Sequence, residues 1–155
     1  MKKNILGVAF VAMMLIITAA FGASEEEQQV RKTYYQWVHA IETAKGNPNS
    51  VVALYSPKAV LLATLSPLPL TTQEDLERYF EKLTANKNLK VETKQMIFQF
   101  FPNISILSGV YVFNYTDKNN KPVSLEARFS FVYHESQGKW LIVNHHSSLI
   151  PSIPN

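Results

Sequence analysis

The chain has 155 residues, with 15 Lys and Arg against 12 Asp and Glu, a formal net charge of +3 and no cysteine. Lys2 and Lys3 supply two of those charges, so the rest of the chain carries +1, which gives no electrostatic reason to bind nucleic acid or an acidic membrane. The length fits one ordinary domain plus a targeting segment, and the lack of cysteine rules out both a lipid-anchored N-terminus and a disulfide framework.

Met1-Lys2-Lys3-Asn4 is a basic start, followed by the apolar run from Ile5 to Ile17 and the small residues around Ala20 and Gly22. This is the three-part layout of a secretory signal peptide, and the apolar run is shorter than the roughly 20 residues of a spanning helix. Residues 1–22 are therefore expected to be a signal peptide and 23–155 a single domain. That domain is expected in the periplasm or outside the cell, without membrane attachment after cleavage.

Ser24-Glu25-Glu26-Glu27 has the form of a capping box and predicts a helix start. Val30, Tyr34, Trp37, Ile41 and Ala44 follow at steps of four and three, which lays one apolar stripe along a long helix ended by Gly46-Asn47-Pro48. Tyr34 and Trp37 are expected in the core. Val51 to Tyr55 predicts a short second helix stopped by Ser56-Pro57, and Ala59 to Thr64 a short buried strand. The two prolines in Ser66-Pro67-Leu68-Pro69-Leu70 predict a loop over the mouth of the fold. A third helix starts at Thr71-Thr72, with Leu76, Tyr79, Phe80 and Leu83 on one face.

From Val91 the apolar period changes to two, predicting strands over 91–101, 104–116, 123–134 and 139–148. Helices followed by a run of strands give the α+β class, with a curved antiparallel sheet wrapping the helices. Glu135-Ser136-Gln137-Gly138-Lys139 predicts a three-residue hairpin with Glu135 opposite Lys139, hence Ser130 opposite Asn144 and Arg128 opposite His146. Phe129, Phe131, Tyr133 and Val143 then fall on the other face. Both faces carry apolar residues, so one is expected to be covered by a second copy of the chain, a homodimer formed through Phe129, Phe131, Tyr133 and Val143.

The polar face is the candidate site. Arg128 lies within an apolar run and needs a partner if buried; Glu126 is the local one, and an anion such as a carboxylate is the other choice. His146 is open to a structural role, a ligand-donor role or the role of a general base. The expected ligand-binding set is Arg128, His146, Asn144, Ser130, Tyr111 and Glu126. No metal-ligand spacing, nucleophile turn, phosphate loop or dinucleotide fingerprint is present, so neither a metal nor a cofactor is expected.

The runs Val51-Val52-Ala53-Leu54-Tyr55-Ser56-Pro57-Lys58-Ala59-Val60-Leu61-Leu62, Gly109-Val110-Tyr111-Val112-Phe113 and Arg128-Phe129-Ser130-Phe131-Val132-Tyr133, with Gly138-Lys139-Trp140 through His145-His146-Ser147-Ser148, resemble the nuclear-transport-factor-2-like superfamily. The resemblance is strongest to the branch of the calcium/calmodulin-dependent protein kinase II association domain, which includes small exported bacterial proteins of the SgcJ/EcaC type. It implies a cone-shaped fold with a long N-terminal helix, two shorter helices and a curved sheet enclosing a pocket, and association through the sheet. Where the kinase domain has two histidines two residues apart, this chain has Asn144 and His146. Fold cannot select among the functions of that superfamily. The leading expectation is an exported homodimeric pocket protein binding a small, carboxylate-bearing molecule. Its alternatives are a small acid–base enzyme of isomerase or dehydratase type using His146, with Tyr111 or Arg128 stabilising charge, and an assembly module.

Overall fold

The computed structural model describes residues 23–151; the expected signal peptide lies outside the described residues. Helix α1 spans Glu25–Thr43, α2 Asn49–Val52 and α3 Gln73–Thr84, and the strands are β1 Tyr55–Leu62, β2 Lys87–Phe101, β3 Ile104–Thr116, β4 Pro122–Ser136 and β5 Lys139–Leu149. They form one sheet in the order β1-β5-β4-β3-β2. The class is α+β, with a curved, unclosed and mostly antiparallel sheet.

Local chemistry accounts for the helix boundaries. The Ser24 hydroxyl accepts from the Glu27 amide at 3.1 Å, and three glutamates in the first turn of α1 favour its positive N-terminal end. The Glu27 carboxylate turns outward to Arg31 instead of back to Ser24. On α3 the box is complete: Thr72 accepts from the Asp75 amide and the Asp75 carboxylate accepts from the Thr72 amide. The predicted second helix is shorter than expected, because Tyr55 already belongs to β1, which carries Pro57 through an unpaired stretch at the edge of the sheet. β1 runs parallel to β5, with Leu61 beside His145, an addition to the otherwise antiparallel meander.

The hairpin joining β4 to β5 is tighter than predicted. Gln137 and Gly138 both have positive φ, at 54° and 75°, so the turn has two residues and Ser136 faces Lys139. A bulge at Val143 then adds a second step, and Ser130 pairs with His146 and Arg128 with Ser148. The two one-residue shifts restore parity beyond the bulge. Arg128, Ser130, Asn144 and His146 therefore do share a face, as expected, although their partners differ.

That shared face is the outer one. Helix α1 packs its stripe of Val30, Tyr34, Trp37 and Ile41 onto the opposite face, where Tyr34 stacks on Phe129 at 5.6 Å between ring centres and Trp37 meets Phe131 at 5.0 Å. Phe129, Phe131 and Tyr133 are thus buried within the protomer, and the expectation that they form a dimer interface is corrected. The reason is energetic: burying each such ring contributes roughly 1.5–3 kcal/mol, and the aromatic stripe of α1 needs a matching apolar surface. Gly109 completes this layer. A Cβ there would lie 1.9 Å from the Gln95 carbonyl oxygen and 2.9 Å from Phe129, so only glycine lets β2 and that ring approach.

Candidate functional site

A cavity opens between the concave face of the sheet and the helices. Its walls are Trp37 from α1, Tyr79, Phe80 and Leu83 from α3, Tyr111, Phe113 and Tyr115 from β3, Leu125 and Ala127 from β4, and His145 and Ser147 from β5. Leu61, Ala63, Thr64 and Leu65, at the end of β1 and the start of the following loop, close the remaining side. Its free space is about 20 Å³, room for about one water molecule. It is a narrow slot. The loop bearing Leu65 and Leu68, both exposed, is tied at its far end by paired 2.9 Å hydrogen bonds between Leu61 and Leu70.

One polar thread runs through this apolar slot. The Trp37 indole N–H donates to Tyr55 Oη at 3.1 Å, and Tyr55 Oη lies 2.8 Å from His145 Nδ1. On the other side of the ring, His145 Nε2 is 3.4 Å from Tyr111 Oη. Tyr111 donates to Ser147 Oγ at 2.6 Å, and Ser147 Oγ lies 2.5 Å from Thr64 Oγ1.

Counting hydrogens gives this chain a direction. An indole N–H can only donate, so Tyr55 accepts from Trp37 and its own proton must go to His145 Nδ1 to avoid a buried, unused donor. Nε2 then carries the imidazole hydrogen and donates, over a longer contact, to Tyr111. Tyr111 donates to Ser147, and Ser147 satisfies its own hydrogen by donating to Thr64. The thread runs from the core to the loop and ends in the Thr64 hydroxyl.

Burial, and secondarily the charge of His146, holds the His145 pKa down at about 3. The ring is neutral at ordinary pH. Burial also pushes the phenols of Tyr55, Tyr79 and Tyr111 above the usual tyrosine range. No Lys, Arg, Asp or Glu among the described residues lines the cavity. Among the described residues, no three His, Asp or Glu side chains gather where they could hold a metal ion.

Of the residues proposed from sequence as ligand contacts, Tyr111 lines this cavity. Arg128, His146 and Glu126 are exposed, and Asn144 and Ser130 half-buried, all on the outer face of the sheet. Arg128 donates to Ser148 Oγ at 3.4 Å and makes no ion pair with Glu126. Placing Arg128 and His146 in an aromatic cavity is thus corrected, and with it the use of His146 as a base working inside the cavity. The two adjacent histidines point to opposite faces, and the one inside is His145. Sequence reasoning passed over Tyr55, Thr64, His145 and Ser147. Alternation already placed His145 beside Phe129 and Phe131, and the aromatic stripe of α1 was the signal that this face was the inner one.

A helix-lined, cone-shaped α+β domain with its cavity on the concave side of the sheet is the nuclear-transport-factor-2-like architecture, and solved structures agree. A Salmonella enterica serovar Typhimurium protein of that superfamily matches with TM-score 0.72 at 14% identity, covering 82% of this chain and 92% of its own. A candidate dehydratase of the same family from Streptomyces avermitilis matches with TM-score 0.70 at 13% identity, covering 81% and 96%. At those identities the likeness is one of fold. Residues 26–151 match the family described as the calcium/calmodulin dependent protein kinase II association domain, and the chain belongs to that family. A Xanthomonas campestris structure assigned as a candidate member is 38% identical, with TM-score 0.77, covering 87% of this chain and 95% of its own. No curated protein matches the sequence.

Proposed function

We propose that this chain is an exported, homodimeric protein that holds a small molecule in the slot between α1, α3 and the concave sheet. The observation that carries this reading is the polar thread from Trp37 to Thr64, which crosses an otherwise apolar cavity and ends at its loop side. A core filled only for stability gains little from such a chain, because each buried polar group must be satisfied before it stops costing free energy. Binding is favoured over acid–base catalysis. Among the described residues, the only titratable group in the slot other than tyrosine is a histidine held neutral, with no carboxylate to orient or recharge it.

Self-association draws its support from the outer face of the sheet. Leu62, Ile97, Ile106, Val110 and Val132 lie there, and the described helices all pack on the opposite face. A second copy of the same face is the economical cover, and the family's designation as an association domain agrees with it.

Ethylbenzene tests the pocket reading, since apolar cavities take up small aromatic hydrocarbons. It should raise the melting temperature of the wild type and leave that of Ala127→Phe, whose added ring fills the slot, unchanged. Equal shifts in both proteins, or none in either, would overturn the reading.

A further inference from the structure

We infer that the ligand of this cavity is an uncharged aromatic or alicyclic molecule bearing a carbonyl oxygen, which accepts a hydrogen bond from the Thr64 hydroxyl. The inference rests on the pocket reading above and adds the ligand's chemical class.

Direction decides the polarity of the contact. The indole N–H sets the direction through Tyr55 and His145 to Tyr111, which donates to Ser147; Ser147 has Thr64 as its one side-chain acceptor among the described residues, so its hydrogen is assigned there. Thr64 Oγ1 accepts from Ser147, and among the described residues it has no acceptor for its own hydrogen. The cavity therefore presents an unspent O–H donor at its loop side. Tyr79 and Tyr115 also line the slot and make no side-chain hydrogen bond among the described residues. An acceptor atom on the ligand would take the Thr64 hydrogen. A ligand hydroxyl whose own hydrogen sought an acceptor would find the Thr64 oxygen already occupied once.

Charge narrows the class further. A carboxylate entering the slot would lose its hydration with no Lys or Arg among the described residues to replace it, and the neutral imidazole of His145 cannot supply a positive charge without itself being desolvated as a cation. An ammonium would meet no carboxylate. Shape supplies the remainder: the walls are Trp37, Phe80, Tyr111 and Phe113 with aliphatic Leu61 and Leu125, and the free space is thin. A flat ring suits such walls, and because the space as it stands takes about one water, the ring enters by parting them.

Four probes of near-equal size separate the terms: acetophenone, ethylbenzene, benzoate and benzylamine, titrated calorimetrically into the folded wild type and Thr64→Val. Acetophenone should bind about tenfold more tightly than ethylbenzene, the size of one hydrogen bond to a site built to donate it. Benzoate and benzylamine should bind at least a hundredfold more weakly than acetophenone. In Thr64→Val, which keeps the side-chain shape and removes the hydroxyl, acetophenone and ethylbenzene should bind alike. If ethylbenzene matches acetophenone in the wild type, the cavity is a binding site but the carbonyl assignment falls. If benzoate matches or exceeds acetophenone, the uncharged class is wrong. A ketone preference that survives in Thr64→Val but is lost in Tyr79→Phe would overturn the choice of Thr64 as donor. Absence of binding by all four probes would overturn both this inference and the pocket reading beneath it.

Discussion

The imidazole of His145 lies flat against the ring of Phe131, 3.8 Å between centres with the planes 20° apart. β4 and β5 place the two residues directly opposite each other, and α1 seals them with Trp37, whose ring meets His145 edge-on at 5.5 Å. A histidine so enclosed is a hydrogen-bonding element of the core, and its protonation state becomes part of folding.

Stability should therefore fall in mild acid. Tyr55 from β1 and Tyr111 from β3 face the ring, and burial raises both phenols, so neither changes charge in this range. Below the ordinary histidine value of 6.5 the unfolded chain takes up a proton that the folded chain refuses until about pH 3. The stability is fully present above 6.5, declines as pH drops, and levels off near 3. Between pH 7 and pH 5 the loss traceable to His145 amounts to about 2 kcal/mol. Urea denaturation of the wild type and His145→Gln at both pH values should show a smaller drop in the variant by about that amount. Parallel drops would mean that the buried ring does not control the response.

Long-range nitrogen–proton NMR correlations of His145 should report Nδ1 as the bare, accepting nitrogen and Nε2 as the protonated one. This tautomer follows from the Trp37 donor through Tyr55. The opposite assignment would reverse the thread and remove the argument that Thr64 has a hydrogen to give.

Substitutions on the two faces of the sheet should separate folding from association. Val110 is half-buried on the outer face, opposite Arg128, whereas Phe131 is fully enclosed. Val110→Glu is expected to yield a folded monomer by light scattering and circular dichroism. Phe131→Glu should fail to fold, since an unpaired carboxylate there has no partner and no water. A Val110→Glu protein that keeps the dimer mass would place the interface elsewhere.

The succession of elements was legible from local chemistry. The Ser24 and Thr72 caps mark helix starts, the four-and-three spacing from Val30 to Ile41 marks the buried stripe, and the period-two pattern after Val91 marks the strands. The class followed, because hydrophobic periodicity and capping are properties of neighbouring residues, while the superfamily came from the resemblance of the runs around Tyr55, Tyr111, Phe129 and His145. Alternation also separated His145 from His146 and grouped Arg128 with Ser130, Asn144 and His146.

Sequence reading turned the wrong one of those two groups toward the helices. Both faces of β4 and β5 carry apolar side chains, and an arginine in an apolar run reads the same whether it is buried beside a ligand or extended into solvent. The choice depends on α1, a hundred residues away along the chain in rough terms, laying Tyr34 and Trp37 against Phe129 and Phe131. The two-residue turn at Gln137-Gly138 and the bulge at Val143 are similarly decided by sheet pairing, each shifting register by one. The thread from Trp37 through Tyr55, His145, Tyr111 and Ser147 to Thr64 joins one helix, three strands and a loop. No local pattern encodes it. Sequence determined the elements and their two-sidedness, and tertiary packing determined which side is inside, because burial is settled by long-range contact between large apolar surfaces.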